Sequence, residues 1–345
     1  MSASVPHAED LHGPPPTFSV LMATHNHAAY ITEALESVVA QAFTDYEIVV
    51  VDDGSTDETP TTLSDWVRSY SDRFPNRVVI CSSANEGQSS AYEHGLNLCT
   101  GRYVALLDSD DRWLPEKLEA VHHIIETDPE AVLLVHPVLI MGPDGTLTGR
   151  VRPARASLSH GDLREHIRRT GRAVAAVTSG VTVRADVLRA LLPMPTKGFR
   201  FGADGYITLG ASLLGRVQVI DEPLAHYRIH PSGQYFGRML SKEGPRLTMQ
   251  HQLIVARHLG LENAIRRSSY FGRHAFAAAK LEDDFSEQIR AYGRLLRSTM
   301  RDEAFSVPTR LGLAAFWTLC LALPRPNFFR VWKWFQLRHM GWTAG

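Results

Sequence analysis

The sequence predicts an α/β protein: a Rossmann-like mixed, mainly parallel sheet flanked by helices, followed by a helical extension. Three observations predict this α/β layout. Short β-rich runs alternate with helical patterns from residue 18 to about 130, the mark of βαβ units. Residues 47–51 form an almost continuous apolar run, as a strand covered on both faces requires. Beyond residue 241 the β-rich runs give way to Arg, Leu and Ala in helical spacing.

Taken in order, residues 1–17 read as a flexible leader, because they hold Pro14-Pro15-Pro16 and no apolar segment of the secretory type. Residues 18–22 are the first strand. A helix over 30–40 places Ile31, Ala34, Leu35, Val38 and Val39 on one face. After the second strand, at 47–51, come a helix from near Asp57, a strand at 77–81, a helix at 88–98 and a strand at 103–107. Pro115 suits the first turn of the next helix. Residues 131–141 read as one long strand, closed by the turn Gly142-Pro143-Asp144-Gly145. An apolar stretch at 174–183, a helix at 206–214 and a last pair of strands at 216–220 and 224–229 complete the second half.

Composition narrows the function classes. With 345 residues the chain has room for about two units. Its 44% hydrophobic and 21% charged residues are those of a globular protein. Lys and Arg total 36 against 37 Asp and Glu, so no global basic field recruits nucleic acid. The charge is uneven, however: residues 241–345 hold 16 basic and 8 acidic side chains, net +8, leaving −9 on residues 1–240. Cys81, Cys99 and Cys320 are too scattered for a disulfide framework or a thiolate zinc site, which fits a reducing cytoplasm. The longest apolar run, 311–323, has 13 residues, short of the roughly 20 that span a bilayer.

Ligands of parallel α/β sheets bind beyond the carboxyl ends of the strands. Those ends are polar here: Thr24-His25-Asn26, Asp52-Asp53-Gly54-Ser55 and Asp108-Ser109-Asp110-Asp111. Three carboxylates within four residues repel one another unless a hard cation or several donors neutralise them. In an extended conformation Asp108 and Asp110 point to the same side and could share one Mg²⁺ or Mn²⁺ with two phosphates. The competing reading is a solvated loop in which Asp111 caps the helix near Pro115. Neither a Walker A sequence nor Gly-x-Gly-x-x-Gly follows the first strand, which argues against kinases and dinucleotide dehydrogenases. Phosphate would instead meet a metal, backbone N–H groups near Gly87 and a basic side chain from elsewhere.

Phe18-Ser-Val-Leu-Met-Ala-Thr-His-Asn26, Val49-Val-Val-Asp-Asp-Gly-Ser-Thr-Asp57, Asn85-Glu-Gly-Gln88 and Leu106-Leu-Asp-Ser-Asp-Asp111 resemble the successive signatures of family 2 glycosyltransferases. The resemblance implies a GT-A catalytic domain over 18–240, with a nucleotide-sugar half at 18–130 and an acceptor half at 131–240. It places Thr24, His25 and Asn26 at base and ribose, Asp52 and Asp53 on the nucleoside, and Ser109 and Gly87 along the donor. Asp108 and Asp110 become the Asp-x-Asp motif for Mn²⁺ or Mg²⁺, with Asp111 adding a metal or ribose contact. Phe201-Gly-Ala-Asp-Gly-Tyr206 stands where the family carries its general base, so Asp204 is the candidate base and Ala203 occupies the place of a common Glu. His226-Tyr-Arg-Ile-His230 resembles a further family segment, in which Arg228 or His230 meets the diphosphate, or His230 completes the metal shell. Thr178 to Arg184 is similar to the acceptor-side strand, whereas Tyr92 and Glu93 depart from the family pattern.

By this resemblance the chain is an inverting, metal-dependent hexosyltransferase-like enzyme of cell-surface polysaccharide or glycolipid assembly. Its partners are a nucleotide-diphospho-sugar, with UDP favoured, and a glycan or lipid-linked glycan acceptor. The alternative is a catalytically silent sugar-nucleotide-binding or scaffold protein. Residues 325–345 set Arg325, Arg330, Lys333 and Arg338 among Phe328, Phe329, Trp332, Trp334 and Phe335, without an acid. That pattern suits peripheral contact with the inner face of the cell membrane through 311–338. It equally suits a helix packed on the catalytic domain or a homodimer partner.

Overall fold

The computed structural model describes residues 14–70, 77–153, 159–171, 176–195, 200, 202–230, 240–282, 284–302 and 305–339. The first half runs β1 (Phe18–Thr24), α1 (Ile31–Val39), β2 (Tyr46–Asp52), α2 (Thr59–Tyr70), β3 (Val78–Ser82), α3 (Gln88–Leu96), β4 (Tyr103–Asp108), β5 (Arg112–Trp113) and α4 (Lys117–Thr127). It continues with β6 (Ala131–Val135), β7 (Val138–Met141), β8 (Leu147–Arg152), α5 (Arg164–Thr170), β9 (Val181–Arg184), α6 (Ala185–Ala190), α7 (Ala203–Leu214), β10 (Arg216–Val219) and β11 (Ala225–Arg228). Six helices follow: α8 (Gly244–His258), α9 (Glu262–Arg267), α10 (Ser269–Glu282), α11 (Phe285–Arg301), α12 (Val307–Ala322) and α13 (Arg325–His339).

A seven-stranded sheet in the order β10-β6-β9-β4-β1-β2-β3 forms the centre. It is parallel except for β9, which lies antiparallel to both β4 and β6. Alternate residues of the central strands enter different cores. Leu21, Val49 and Val51 join the layer under α3 and α7, while Val20, Met22, Ile48 and Val50 join the layer under α1, α2 and α4. This is why the second strand reads as unbroken apolar sequence.

The run 131–141 is two strands rather than one. β6 belongs to the large sheet and β7 to a small sheet of order β5-β11-β7-β8. The break falls at His136-Pro137, since Pro137 has no N–H to continue a ladder. There the His136 N–H turns aside to the Gly180 carbonyl. The last two strands likewise part company, β10 pairing with β6 and β11 lying between β5 and β7. β5 and β8 escaped the sequence reading. β5 has two residues, and Leu147–Arg152 is largely exposed, so it carries no alternating apolar signal.

Packing crosses two further boundaries of the sequence reading. Pro16 and Thr17, assigned to the leader, are fastened to the sheet: Pro16 accepts the Arg102 N–H, and Thr17 donates its N–H and hydroxyl to Asp45. Residues 1–13 lie outside the described residues, as do 174 and 175 of the apolar stretch at 174–183. Residue 241 does not mark a break in packing, because Val255, Ala256, Leu261, Ile265 and Phe271 enter the same core as Val49 and Ile207. The remaining helices close a core of their own around Phe276, Leu295, Trp317, Phe328, Trp332 and Phe335. The aromatic side chains expected to face a membrane are therefore mostly internal, and Trp334 is the large one left exposed. Among the described residues no helix is long and apolar enough to cross a membrane.

One polar network clamps the two sheets together. Buried Arg228, at the end of β11, donates its backbone N–H to Asp111, its Nε to the Asp110 carbonyl and a terminal nitrogen to the Pro143 carbonyl. Its other terminal nitrogen pairs with Glu33 of α1, whose second oxygen takes Arg112 of β5. The guanidinium also lies 4.9 Å from the Tyr30 ring centroid. A double-mutant cycle between Glu33→Gln and Arg228→Met, followed by denaturant unfolding, is expected to give a coupling of about 0.5–3 kcal/mol. Strict additivity would show that the clamp contributes nothing.

Candidate active site

Register brings the polar strand ends together. Thr24 pairs with Asp52, and Ala23 with Asp108, so β1, β2 and β4 release their last residues along one edge. Beyond that edge lie two adjoining clusters of polar side chains.

The first is built around β1 and β2. Asn26 adopts φ +56, and its side-chain oxygen accepts the Thr56 N–H at 2.7 Å while its own N–H donates to Ser55 Oγ. Asp52 accepts the Ser55 N–H at 3.1 Å. Buried Asp53 accepts Ser83 Oγ–H and the N–H groups of Glu86 and Gly87 at 2.8–3.1 Å. The Gly87 N–H is thus given to Asp53 rather than held open for phosphate, a correction to the sequence reading. Gly87 itself has φ +102, and a Cβ there would sit 2.8 Å from the Arg200 backbone. His25 places Nδ1 2.9 Å from the Asp53 carbonyl oxygen, with Nε2 toward Asn85. Thr24 Oγ1 is buried without a hydrogen-bond partner, a group that a ligand could satisfy.

The second cluster holds the acids. β4 ends at Asp108, and the Asp111 N–H closes a tight turn onto the Asp108 carbonyl. Asp108 and Asp110 meet through this turn, not through the extended conformation expected from sequence. Their carboxylates and that of Asp111 offer oxygens within 4.8 Å of one another. Asp111 is no solvated helix cap: it is buried, and it accepts the Arg228 N–H at 2.8 Å and Ser179 Oγ–H at 2.5 Å. Ser109, expected along the donor, is buried against His27, with Oγ 2.7 Å from Nδ1. Arg228, expected at the diphosphate, is engaged in the clamp. His230 lies 2.9 Å from an Asp110 oxygen through Nε2.

Burial, then the charges of Asp110 and Asp204, pushes Asp108 up to about 8. Burial, then Asp110 and Asp108, also raises Asp111 well above the usual carboxylate range. For Asp110 burial acts in the same direction, but the His230 hydrogen bond and the neighbouring imidazoles outweigh it and hold the group low. Among the described residues none of Asp108, Asp110, Asp111 and Asp204 is ion-paired to Lys or Arg, and His230 is the one basic group paired with the set. Clustered carboxylates, half-buried or buried and so poorly compensated, fit a divalent cation.

Asp204 stands in the first turn of α7, two residues past the N-cap Gly202, so it is not the capping residue. One of its oxygens accepts the Gly205 N–H at 2.8 Å, and burial raises its pKa. Its charge reaches Asp108 and Tyr92. Gln88 bridges the two elements, accepting the Ala203 N–H and approaching Asp108 at 3.4 Å. His27, Glu33, Gln88, Tyr92 and Ser179 were not among the sequence-predicted site residues. His27 and Gln88 adjoin or end quoted motifs, but nothing in linear spacing links His27 to Asp110.

The Glycosyl transferase family 2 model matches residues 19–190. An uncharacterized glycosyltransferase of Nostoc is 35% identical over 218 residues, 63% of this chain and 66% of that protein, so the match spans just under two thirds of the relative. The structure of S. aureus TarS 1-349 in complex with UDP-GlcNAc superposes with a TM-score of 0.55 at 20% identity, covering 95% of this chain and 93% of the other. The mannosyltransferase PcManGT of Pyrobaculum calidifontis, in complex with GDP-Man and Mn²⁺, gives 0.54 at 17% identity, covering 95% and 86%. The mixed sheet, its helical C-terminal region and these matches agree: the chain belongs to glycosyltransferase family 2.

Proposed function

We propose that the chain transfers a sugar, with inversion and with a divalent metal, from a nucleotide-diphospho-sugar to an acceptor hydroxyl during cell-surface polysaccharide or glycolipid assembly. The observation that carries this reading is the acid cluster of half-buried Asp108 and Asp110 and buried Asp111, beside Asp204 at the carboxyl edge of the sheet. Asp110 and His230, with Asp108 close by, would hold Mn²⁺ or Mg²⁺, which when bound neutralises charge on the diphosphate leaving group. Thr24, His25, Asn26, Asp52 and Asp53 shape the nucleoside side, where a UDP-sugar is favoured. Asp204 takes the proton of the acceptor hydroxyl. The hydroxyl oxygen then bonds to the anomeric carbon as the carbon–oxygen bond to the diphosphate breaks on the opposite face. The nucleotide-sugar complexes of the structural neighbours support the donor class. Ala203, in place of the family's common Glu, favours a second reading, a catalytically silent nucleotide-sugar-binding protein.

Product assays with UDP- and GDP-sugars, with and without Mn²⁺, separate the two. Turnover is expected with metal, and Asp204→Asn is expected to cut kcat by about 10²–10⁴-fold while leaving donor affinity intact. Donor binding without transfer or hydrolysis would establish the silent reading. Because burial raises Asp204, kcat should fall as pH drops through a value above the usual carboxylate pKa of about 3.9. A profile flat down to pH 4 would remove Asp204 from the base role.

We further propose a position at the cytoplasmic face of the membrane. Phe285, Ile289, Met300, Val307, Leu311, Leu319 and Trp334 are exposed on α11, α12 and α13, in the segment of net charge +8. This surface replaces the buried aromatics as the contact. Sedimentation with anionic but not zwitterionic vesicles, weakened by Leu311→Glu with Leu319→Glu, is the expected result. Dimerisation without vesicle binding would assign the surface to a second copy.

A further inference from the structure

His27 stands beside the acid cluster, from a part of the chain that none of the metal-binding motifs includes. A ring nitrogen of His27, a carboxylate oxygen of Asp110 and a ring nitrogen of His230 all lie within 4.8 Å of one another. Metal bonds of about 2.0–2.2 Å place ligands on opposite sides of an ion about 4.4 Å apart, so small rotations would close the set. The orientation of the imidazole is fixed on several sides. Its Nδ1 is 2.7 Å from Ser109 Oγ, which leaves Nε2 as the ligand atom, and the His27 N–H donates to Thr59 Oγ1 at 3.0 Å. Tyr30 packs edgewise on His27 and obliquely on His230, at centroid distances of 6.2 and 4.7 Å. A hydrogen bond on the second ring nitrogen is how proteins commonly aim a metal-binding histidine. Ser109 belongs to the same turn as Asp110, so one short segment supplies a ligand and aims another.

We propose that His27 is a direct protein ligand of the divalent cation and completes, with Asp110 and His230, a two-histidine, one-carboxylate set. This rests on the metal-dependent reading above and adds two consequences. Three protein ligands hold the cation before any nucleotide arrives, so metal binds to the free protein. Two imidazole nitrogens make the site prefer Mn²⁺ to Mg²⁺, which takes oxygen ligands almost exclusively. Asp108 then faces the cation from across the turn, and Asp111 serves to hold the turn.

The test is Mn²⁺ titration of the full chain, with and without a UDP-sugar, followed by electron paramagnetic resonance and by spin-echo modulation on protein carrying ¹⁵N-histidine. Without nucleotide, the wild type is expected to take up Mn²⁺, to resist exchange by equimolar Mg²⁺, and to show two coordinated imidazoles. His27→Gln should leave one imidazole and bind at least about tenfold more weakly. His230→Gln should also leave one, which keeps the assignment testable if His27→Gln does not fold. Asp110→Asn should abolish uptake. A single imidazole in the wild type, or none remaining in His230→Gln, overturns the His27 assignment. Uptake only with the UDP-sugar and through one imidazole overturns it too, while the metal-dependent reading stands. No uptake under either condition overturns both.

Discussion

Everything at the active edge depends on the buried carboxylate of Asp111. It sits where β4 stops, and it accepts hydrogen bonds from two elements remote in sequence: the backbone of β11 through Arg228, and Ser179 in the turn before β9. With the return bond from the Asp111 N–H to Asp108, this fixes the turn on which Asp108 and Asp110 are displayed. A loop carrying three acids would otherwise splay apart to relieve repulsion. Here two internal acceptor contacts and the Arg228 clamp hold it closed, so the carboxyl groups are gathered before any ligand enters.

The same economy governs the nucleoside side. Asp53 spends its carboxylate on Ser83, Glu86 and Gly87, which anchors the loop after β3 against the loop after β2. What remains directed outward is His25, the buried hydroxyl of Thr24 and the rim of Asn85. Acids in this site therefore have two kinds of work. Asp53 and Asp111 organise backbone, while Asp108, Asp110 and Asp204 keep carboxyl oxygens available to a ligand.

The helical extension joins the catalytic layers through α8 to α10 and forms a separate aromatic core beyond them. Burying Phe328, Trp332 and Phe335 internally leaves Leu311 and Leu319 on the outside of α12. Amphipathic segments of this composition have two apolar faces to choose between, and only packing decides which one stays exposed.

Apart from β5, the order of strands and helices through residue 127 and the polar strand ends were legible in the sequence, because parallel strands buried on both faces write continuous apolar runs and their carboxyl ends break into polar ones. The acid cluster was legible for the same local reason: its members are adjacent. Tertiary structure alone decided that 131–141 divides between two sheets, that Arg228 reaches Glu33 rather than a ligand, and that His27 stands beside Asp110. Those contacts join residues far apart in the chain, with Asp110 83 positions beyond His27 and Arg228 195 beyond Glu33, and their geometry comes from sheet register and the clamp between sheets, which no local pattern of side chains encodes.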